Sequence, residues 1–180
     1  NLKSNINHEM FKWLKVGANI SGNYLHNNRI PGADLGSTII GRAVQQRPFD
    51  RPYKPNGGYY TGGTDELLLH NAVQILSEET SYTDNYRFIG SFWAEAQIAK
   101  GLTVRASYNN DSAYTYDYVY YNQNHPYAAD NGRILDRNRF VMTNTIDLYA
   151  NYNRKIGEDF ELGAMVGHSF LKTKSRTSYI

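Results

Sequence analysis

From Tyr86 to Ile98 the even positions hold Tyr86, Phe88, Gly90, Phe92, Ala94, Ala96 and Ile98, all apolar, aromatic or small. The odd positions between them carry Arg87, Ser91, Glu95 and Gln97, with Ile89 and Trp93 as exceptions. After Lys100-Gly101 the pattern resumes: Leu102, Val104, Ala106 and Tyr108 are apolar, while Thr103, Arg105, Ser107 and Asn109 are polar. A repeat of two on both sides of a short turn predicts a β-hairpin with one apolar and one polar face. A three-residue loop Ala99-Lys100-Gly101, with glycine where φ must be positive, pairs Ile98 with Leu102, Ala96 with Val104 and Phe92 with Tyr108. What the apolar face meets then decides what the chain can do.

Similar alternation recurs on either side. Residues 2–8 alternate weakly, and a turn at Met10–Lys12 leads into Leu14, Val16, Ala18, Ile20, Gly22 and Tyr24, set against Lys15, Gly17, Asn19, Ser21 and Asn23. The returning arm of the central hairpin continues through Tyr114, Tyr116, Tyr118 and Tyr120. Farther on, Phe140, Met142, Ile146, Leu148, Ala150 and Tyr152 form a fifth strand. A tight turn at Ile156–Asp159 precedes a sixth, with Phe160, Leu162, Ala164, Val166 and Phe170 on one face and His168 interrupting it. Between residues 27 and 80 alternation stops. Leu35, Ile39 and Ala43 recur at helical spacing, with Asp34 or Ser37 able to cap and Pro48 to terminate. Leu68, Ala72, Ile75 and Leu76 give a second short helix. The intervening RPFDRPYKPNGGYYTGG is too rich in proline and glycine for regular structure. Asn122 to Asn138 reads as a polar loop, and Arg176–Ile180 as the start of another. Short turns near residues 10, 100 and 157 alternate with the long connections, so all the short turns share one end of the sheet. Outer-membrane barrels have that asymmetry, with short periplasmic turns and long extracellular loops.

An antiparallel sheet whose apolar face packs inside a soluble protein would alternate in the same way. Three features favour lipid. The strands run to roughly 15–20 residues by pattern, against about 5–6 in soluble proteins. The apolar face mixes glycine and alanine with aromatics near the strand ends, as a lipid face with aromatic girdles does. No second apolar layer is left in the chain to cover it. Composition agrees: hydrophobic residues make up 41%, yet tyrosine alone accounts for 16 positions, which suits a wall with a polar interior better than a filled core. A net charge of +2 without an arginine-rich stripe gives no nucleic-acid footprint. Cysteine is absent, which excludes disulfides and thiolate metal sites. No apolar run is long enough for a helical span or a signal peptide. Six strands are too few to close a barrel, since the smallest bacterial form has about eight. Together with a first residue, Asn1, that is not methionine, this leads us to expect a fragment of a larger barrel.

The order of several short segments resembles the barrel of SusC/RagA-type TonB-dependent transporters of Bacteroidetes. The segments are Lys15-Val16-Gly17 after a turn, Pro52-Tyr53, Asn56-Gly57-Gly58-Tyr59, Asn71-Ala72-Val73 and Lys100-Gly101-Leu102. Ala72 departs from the proline usual at its place. The resemblance spans nearly the whole chain and rests on order and spacing, because each segment is short. It implies a middle portion of a barrel of about 22 strands, with a plug domain and TonB box outside this chain. A SusD-like surface lipoprotein would lid the barrel. Oligosaccharides or peptides too large for porins would be imported, driven through TonB from the proton-motive force.

The sequence holds no HExxH, GxSxG or phosphate-loop motif, and no carboxylate pair at a catalytic spacing. His168 and Ser169 are adjacent, so on a strand they face opposite sides and cannot act as base and nucleophile. No enzyme, cofactor or metal site is therefore expected. The aspartates 111, 117, 130 and 136 match no calcium loop. Substrate contact is assigned to the loop aromatics Phe49, Tyr53, Tyr59 and Tyr60, whose rings can stack on sugars or peptide side chains, or else pack the loop itself. Tyr114, Tyr116, Tyr118 and Tyr120 are assigned to a girdle at the headgroups. Phe88, Phe92, Ala94, Ala96, Ile98, Leu102, Val104 and Tyr108 are assigned to lipid. Two alternatives stay open at this point, a soluble β-sandwich or lectin-like binding module and a small outer-membrane barrel enzyme.

Overall fold

The computed structural model describes residues 1–29, 39–46, 51–60, 71–126, 128, 131–157 and 160–180, the side chains of Arg42 and Gln45 excepted. Six antiparallel strands form one sheet in chain order: β1 (Leu2–Phe11), β2 (Leu14–Asn28), β3 (Glu79–Ala99), β4 (Leu102–Tyr121), β5 (Arg133–Ile156) and β6 (Phe160–Tyr179). Two short helices, α1 (Ile39–Gln45) and α2 (Ala72–Glu78), lie in the connection between β2 and β3. Four of the strands have 20 or more residues, about twice the 9–11 residues that a tilted strand needs to cross a bilayer.

Register follows the side-chain alternation. Leu2 pairs with Gly22, Ile6 with Ala18 and His8 with Val16, and a bulge between Glu9 and Phe11 shifts the last pair to Phe11–Leu14. The first turn is therefore Lys12-Trp13 rather than Met10–Lys12, because β1 runs three residues farther than its weak alternation suggests. In the central hairpin the hydrogen-bonded side-chain pairs Glu95–Arg105, Ser91–Asn109, Asn85–Thr115 and Thr83–Asp117 are symmetric about Lys100. That is the register of the three-residue loop, with Gly101 at a φ of 85°.

The chain folds as two compact units. The first comprises Asn1–Leu25, Asn85–Thr115 and Arg139–Thr177 and includes all three short turns. The second comprises His26–Asp84, Tyr116–Asn138 and Ser178–Ile180 and includes both long connections. Among the described residues Ala72 and Ile75 of α2 are the only buried apolar side chains. Among the described residues there is one sheet, no second layer and no apolar core under it, whereas a β-sandwich needs two packed faces.

Three stretches differ from expectation. β5 starts at Arg133, inside the expected loop 122–138, and β6 continues to Tyr179 where a loop was expected. Ile180 and Asp136 exchange both backbone hydrogen bonds, at 2.9 and 3.1 Å. The proline-rich loop contains a small hairpin, with Tyr53 and Tyr59 bridged antiparallel and a turn through Pro55-Asn56-Gly57. Proline fixes φ at the first corner of that turn and Gly57, at a φ of 84°, supplies the positive φ that closes it. Asp34, Ser37, Pro48, Phe49, Leu68 and Asp130 lie outside the described residues.

Candidate functional site

Because side chains alternate along a strand, the register gathers the polar odd-numbered residues of neighbouring strands onto one face. In the first unit Asp147 is the centre of a network. Its carboxylate accepts from Ser107 Oγ (3.3 Å), Asn109 Nδ2 (3.2 Å) and Ser169 Oγ (2.6 Å). Nearby, Arg87 donates two bonds to Asp111, at 2.9 and 2.6 Å. The Arg105 guanidinium sits 4.3 Å from the centroid of the Trp93 ring and 3.4 Å from Glu95. Trp93, an exception in the sequence pattern, thus belongs to the polar face as a platform for a cation. It needs room from β2, since a Cβ at Gly17 would overlap its ring. Arg105, Ser107, Asp147, Tyr149 and Ser169 line an open recess of about 410 Å³. These groups can hydrogen-bond a polar solute or water. His168 and Ser169 project to opposite sides of β6, and the serine hydroxyl is engaged by Asp147.

In the second unit odd-numbered residues form an ionic cluster. Buried Asp117 accepts from Thr83 Oγ1 (2.6 Å) and from both Nε and Nη2 of Arg137, and Arg29 lies 3.5 Å away. Such charge-assisted bonds tie β3, β4 and β5 together. Glu79 and His125 are both buried, with their ionisable atoms 3.6 Å apart, and the His125 ring stacks on Tyr121 at 4.4 Å.

Glu79 is at the loop end of β3, well clear of the apolar stretch that begins at Tyr86. Burial pushes its carboxyl up to about 7, against the pull of the Arg29 guanidinium. Its ordinary value is 4.5, so between 4.5 and about 7 the folded chain keeps a proton that the unfolded chain has lost. Stability here is therefore highest below the lower value, falls as pH rises across the window and stays low above it. Amide exchange at residues 79–83 and 122–126, corrected for intrinsic rates, is expected to be faster at pH 8 than at pH 5. Glu79→Gln should flatten that difference, and an undiminished pH response in the variant would place its origin elsewhere.

The loop aromatics assigned to substrate contact are partly brought together. Tyr53 and Tyr59 face each other across the small hairpin with ring centroids 5.7 Å apart. Tyr60 follows directly, and Phe49 is not among the described residues. Asn71 fixes the hairpin to α2. Its Oδ1 caps the helix by accepting from Val73 N (2.9 Å) and Gln74 N (3.4 Å), while its Nδ2 donates to the carbonyls of Pro52 (2.6 Å) and Tyr60 (3.2 Å). Ala72, where the resembled family has proline, is the first helical residue, a position that needs no N–H donor and suits either residue.

On the opposite face lie the even-numbered residues. Phe88, Phe92, Ile98 and Tyr108 are exposed, and Ala94, Ala96, Leu102 and Val104 are partly so. The tyrosines cluster across strands: Tyr86 meets Tyr24 and Tyr114 in the first unit, and Tyr82 meets His26, Tyr116 and Tyr118 in the second. Sequence reading anticipated that Tyr116 and Tyr118 share a face. It missed the Trp93–Arg105 stack, the Asp147 network and the Glu79–His125 contact. Shared odd numbering was their one visible signal.

Six antiparallel strands paired in sequential order, most of them polar on one face and apolar on the other, have the fold of a portion of an antiparallel β-barrel. No family model and no curated protein matches the chain. Solved structures do. The chain is similar to a chain of the RagAB peptide importer in the closed-closed state, at a TM-score of 0.73 and 21% identity over 98% of its length. A structure of the RagAB peptide transporter gives 0.73 and 21% over 97%, and the importer in the open-open state 0.72 and 20% over 98%. The chain spans about a fifth of the length of those chains, at 21%, 21% and 20%. At this identity the likeness shows a shared fold, and it agrees with the fold implied by the SusC/RagA resemblance.

Proposed function

We propose that these strands are part of the wall of an outer-membrane active transporter that takes up peptides. The observation that carries this reading is the division of six consecutively paired strands into a hydrogen-bonding face and an apolar face. It is supported by the likeness of nearly the whole chain to a peptide importer. In this reading the odd-numbered network lines an aqueous lumen. Phe88, Phe92, Ala94, Ala96, Ile98, Leu102, Val104 and Tyr108 meet lipid over about the height of the hydrocarbon core. The long connections face outward, and the Tyr53–Tyr59 hairpin with Tyr60 and Phe49 meets either the substrate or a SusD-like surface lipoprotein. Uptake draws on TonB through a part of the protein outside this chain. The chain itself performs no catalysis: its residues bind, position and exclude.

The test is uptake by cells producing the whole protein. A labelled oligopeptide is expected to enter, and entry should stop with a protonophore or on loss of TonB. Tyr53→Ala with Tyr59→Ala should lower uptake several-fold, since each stacking ring contributes roughly 0.5–1.5 kcal/mol. Entry of an oligosaccharide instead of the peptide would reassign the substrate. Entry indifferent to the protonophore would overturn active transport.

A further inference from the structure

On β6 the apolar face changes character abruptly. Leu162, Ala164, Val166 and Phe170 share the even-numbered side with one interruption at His168, and the next three residues on that side are Lys172, Lys174 and Arg176, all exposed. The odd positions among them, Thr173, Ser175 and Thr177, are uncharged, so the cations are confined to one face. The cross-strand contacts Asp147–Ser169 and Thr143–Thr173 share one register, which sets Asn144, Met142 and Phe140 of β5 opposite the three cations. None of these is acidic. On the polar face each of Arg87, Arg105 and Arg137 has its own carboxylate. Among the described residues no ion pair forms with Lys172, Lys174 or Arg176.

We propose that Lys172, Lys174 and Arg176 bind the phosphate groups of a lipid headgroup in the outer leaflet. The site rests on the barrel reading, in which β6 rises from Phe160 and leaves the hydrocarbon after Phe170. Leu162 to Phe170 is about the 9–11 residues that a tilted strand needs for the crossing. Cations directly above that stretch, on the lipid side, stand at headgroup depth. Same-face neighbours are about 6.6 Å apart, so the three charges extend along roughly 13 Å and can engage more than one phosphate. Lysine and arginine stems are long enough to carry their charged ends outward from the sheet. The side-chain amide oxygen of Asn144, opposite Lys172, already accepts from Tyr108 Oη (2.8 Å) and Asn110 Nδ2 (2.7 Å).

The experiment compares the whole protein in detergent with its K172Q/K174Q/R176Q variant, using diphosphoryl lipid A and the same lipid stripped of phosphate as probes. The wild type is expected to hold the diphosphoryl lipid about 100-fold more tightly than the triple variant, from the contribution of a basic residue near an anionic surface. The stripped lipid should bind both alike and weakly. Should the triple variant fail to fold, each single change is expected to weaken retention about fivefold, and Lys172→Arg with Lys174→Arg should preserve it. Equal retention by detergent-held proteins that both show heat-dependent gel mobility overturns the site alone. A wild type that stays in water without detergent overturns the barrel reading and the site with it.

Discussion

Arginine in place of Phe92 or Ala94 is expected to lower folding stability by about 2–4 kcal/mol, whereas Glu95→Ala should cost less than about 1 kcal/mol. The three positions fall within four residues of one strand, so local backbone propensity cannot separate them. Their faces can. Phe92 and Ala94 share the apolar side of β3, where in the barrel reading a guanidinium would face hydrocarbon near mid-depth without a counter-charge. Glu95 points the other way and lies 3.4 Å from Arg105, both side chains about a third exposed. An ion pair in such surroundings contributes little, and after its loss Arg105 keeps the Trp93 ring beneath it. Urea titration of the whole protein folded into lipid vesicles measures all three variants on one scale. Similar losses at positions 94 and 95 would refute the assignment of the two faces.

The central hairpin was legible from sequence because both its faces are chemically distinct over their full length. Where that contrast fades, so did the reading. Arg133, Asp136, Arg137 and Asn138 put polar groups on both sides of β5, so no alternation marks the strand. What holds it extended is long-range: Arg137 and Thr83 on Asp117, Tyr116 Oη donating to Asp136, and the backbone pair of Asp136 with Ile180. The backbone pair of Asp136 with Ile180 likewise anchors the end of β6, which continues through residues read as a loop. In the barrel reading a strand beyond the bilayer needs no apolar face, only a partner ladder, and a ladder leaves no imprint in hydropathy. The Tyr53–Tyr59 hairpin was hidden for another reason. Pro55-Asn56-Gly57 is legible turn chemistry, but the arms are too short to show a period. The candidate site was legible only by parity. Asp147, Ser107, Asn109 and Ser169 are scattered between positions 107 and 169 of the sequence and become neighbours only once the register of three strands is known.

Gly101→Ala is expected to cost about 2–4 kcal/mol, and Gly157→Ala only about 1 kcal/mol. Both glycines sit in short turns at positive φ, 85° and 74°, so alanine meets the same left-handed strain at each. Their surroundings differ. A Cβ at Gly157 would meet nothing within 4 Å, whereas at Gly101 it would overlap the backbone carbonyl oxygen of Asn153. That carbonyl cannot swing aside as a flexible side chain would. Asn153 N donates to Gly101 O at 2.8 Å, so relief of the overlap must displace the last rung between β4 and β5. The glycine of the Lys100-Gly101-Leu102 turn thus serves two demands, its own backbone angle and the approach of the next strand. Vesicle-folded variants compared by urea titration should show the difference. Equal losses at the two turns would mean that backbone angle alone fixes this glycine and that contact with β5 adds nothing.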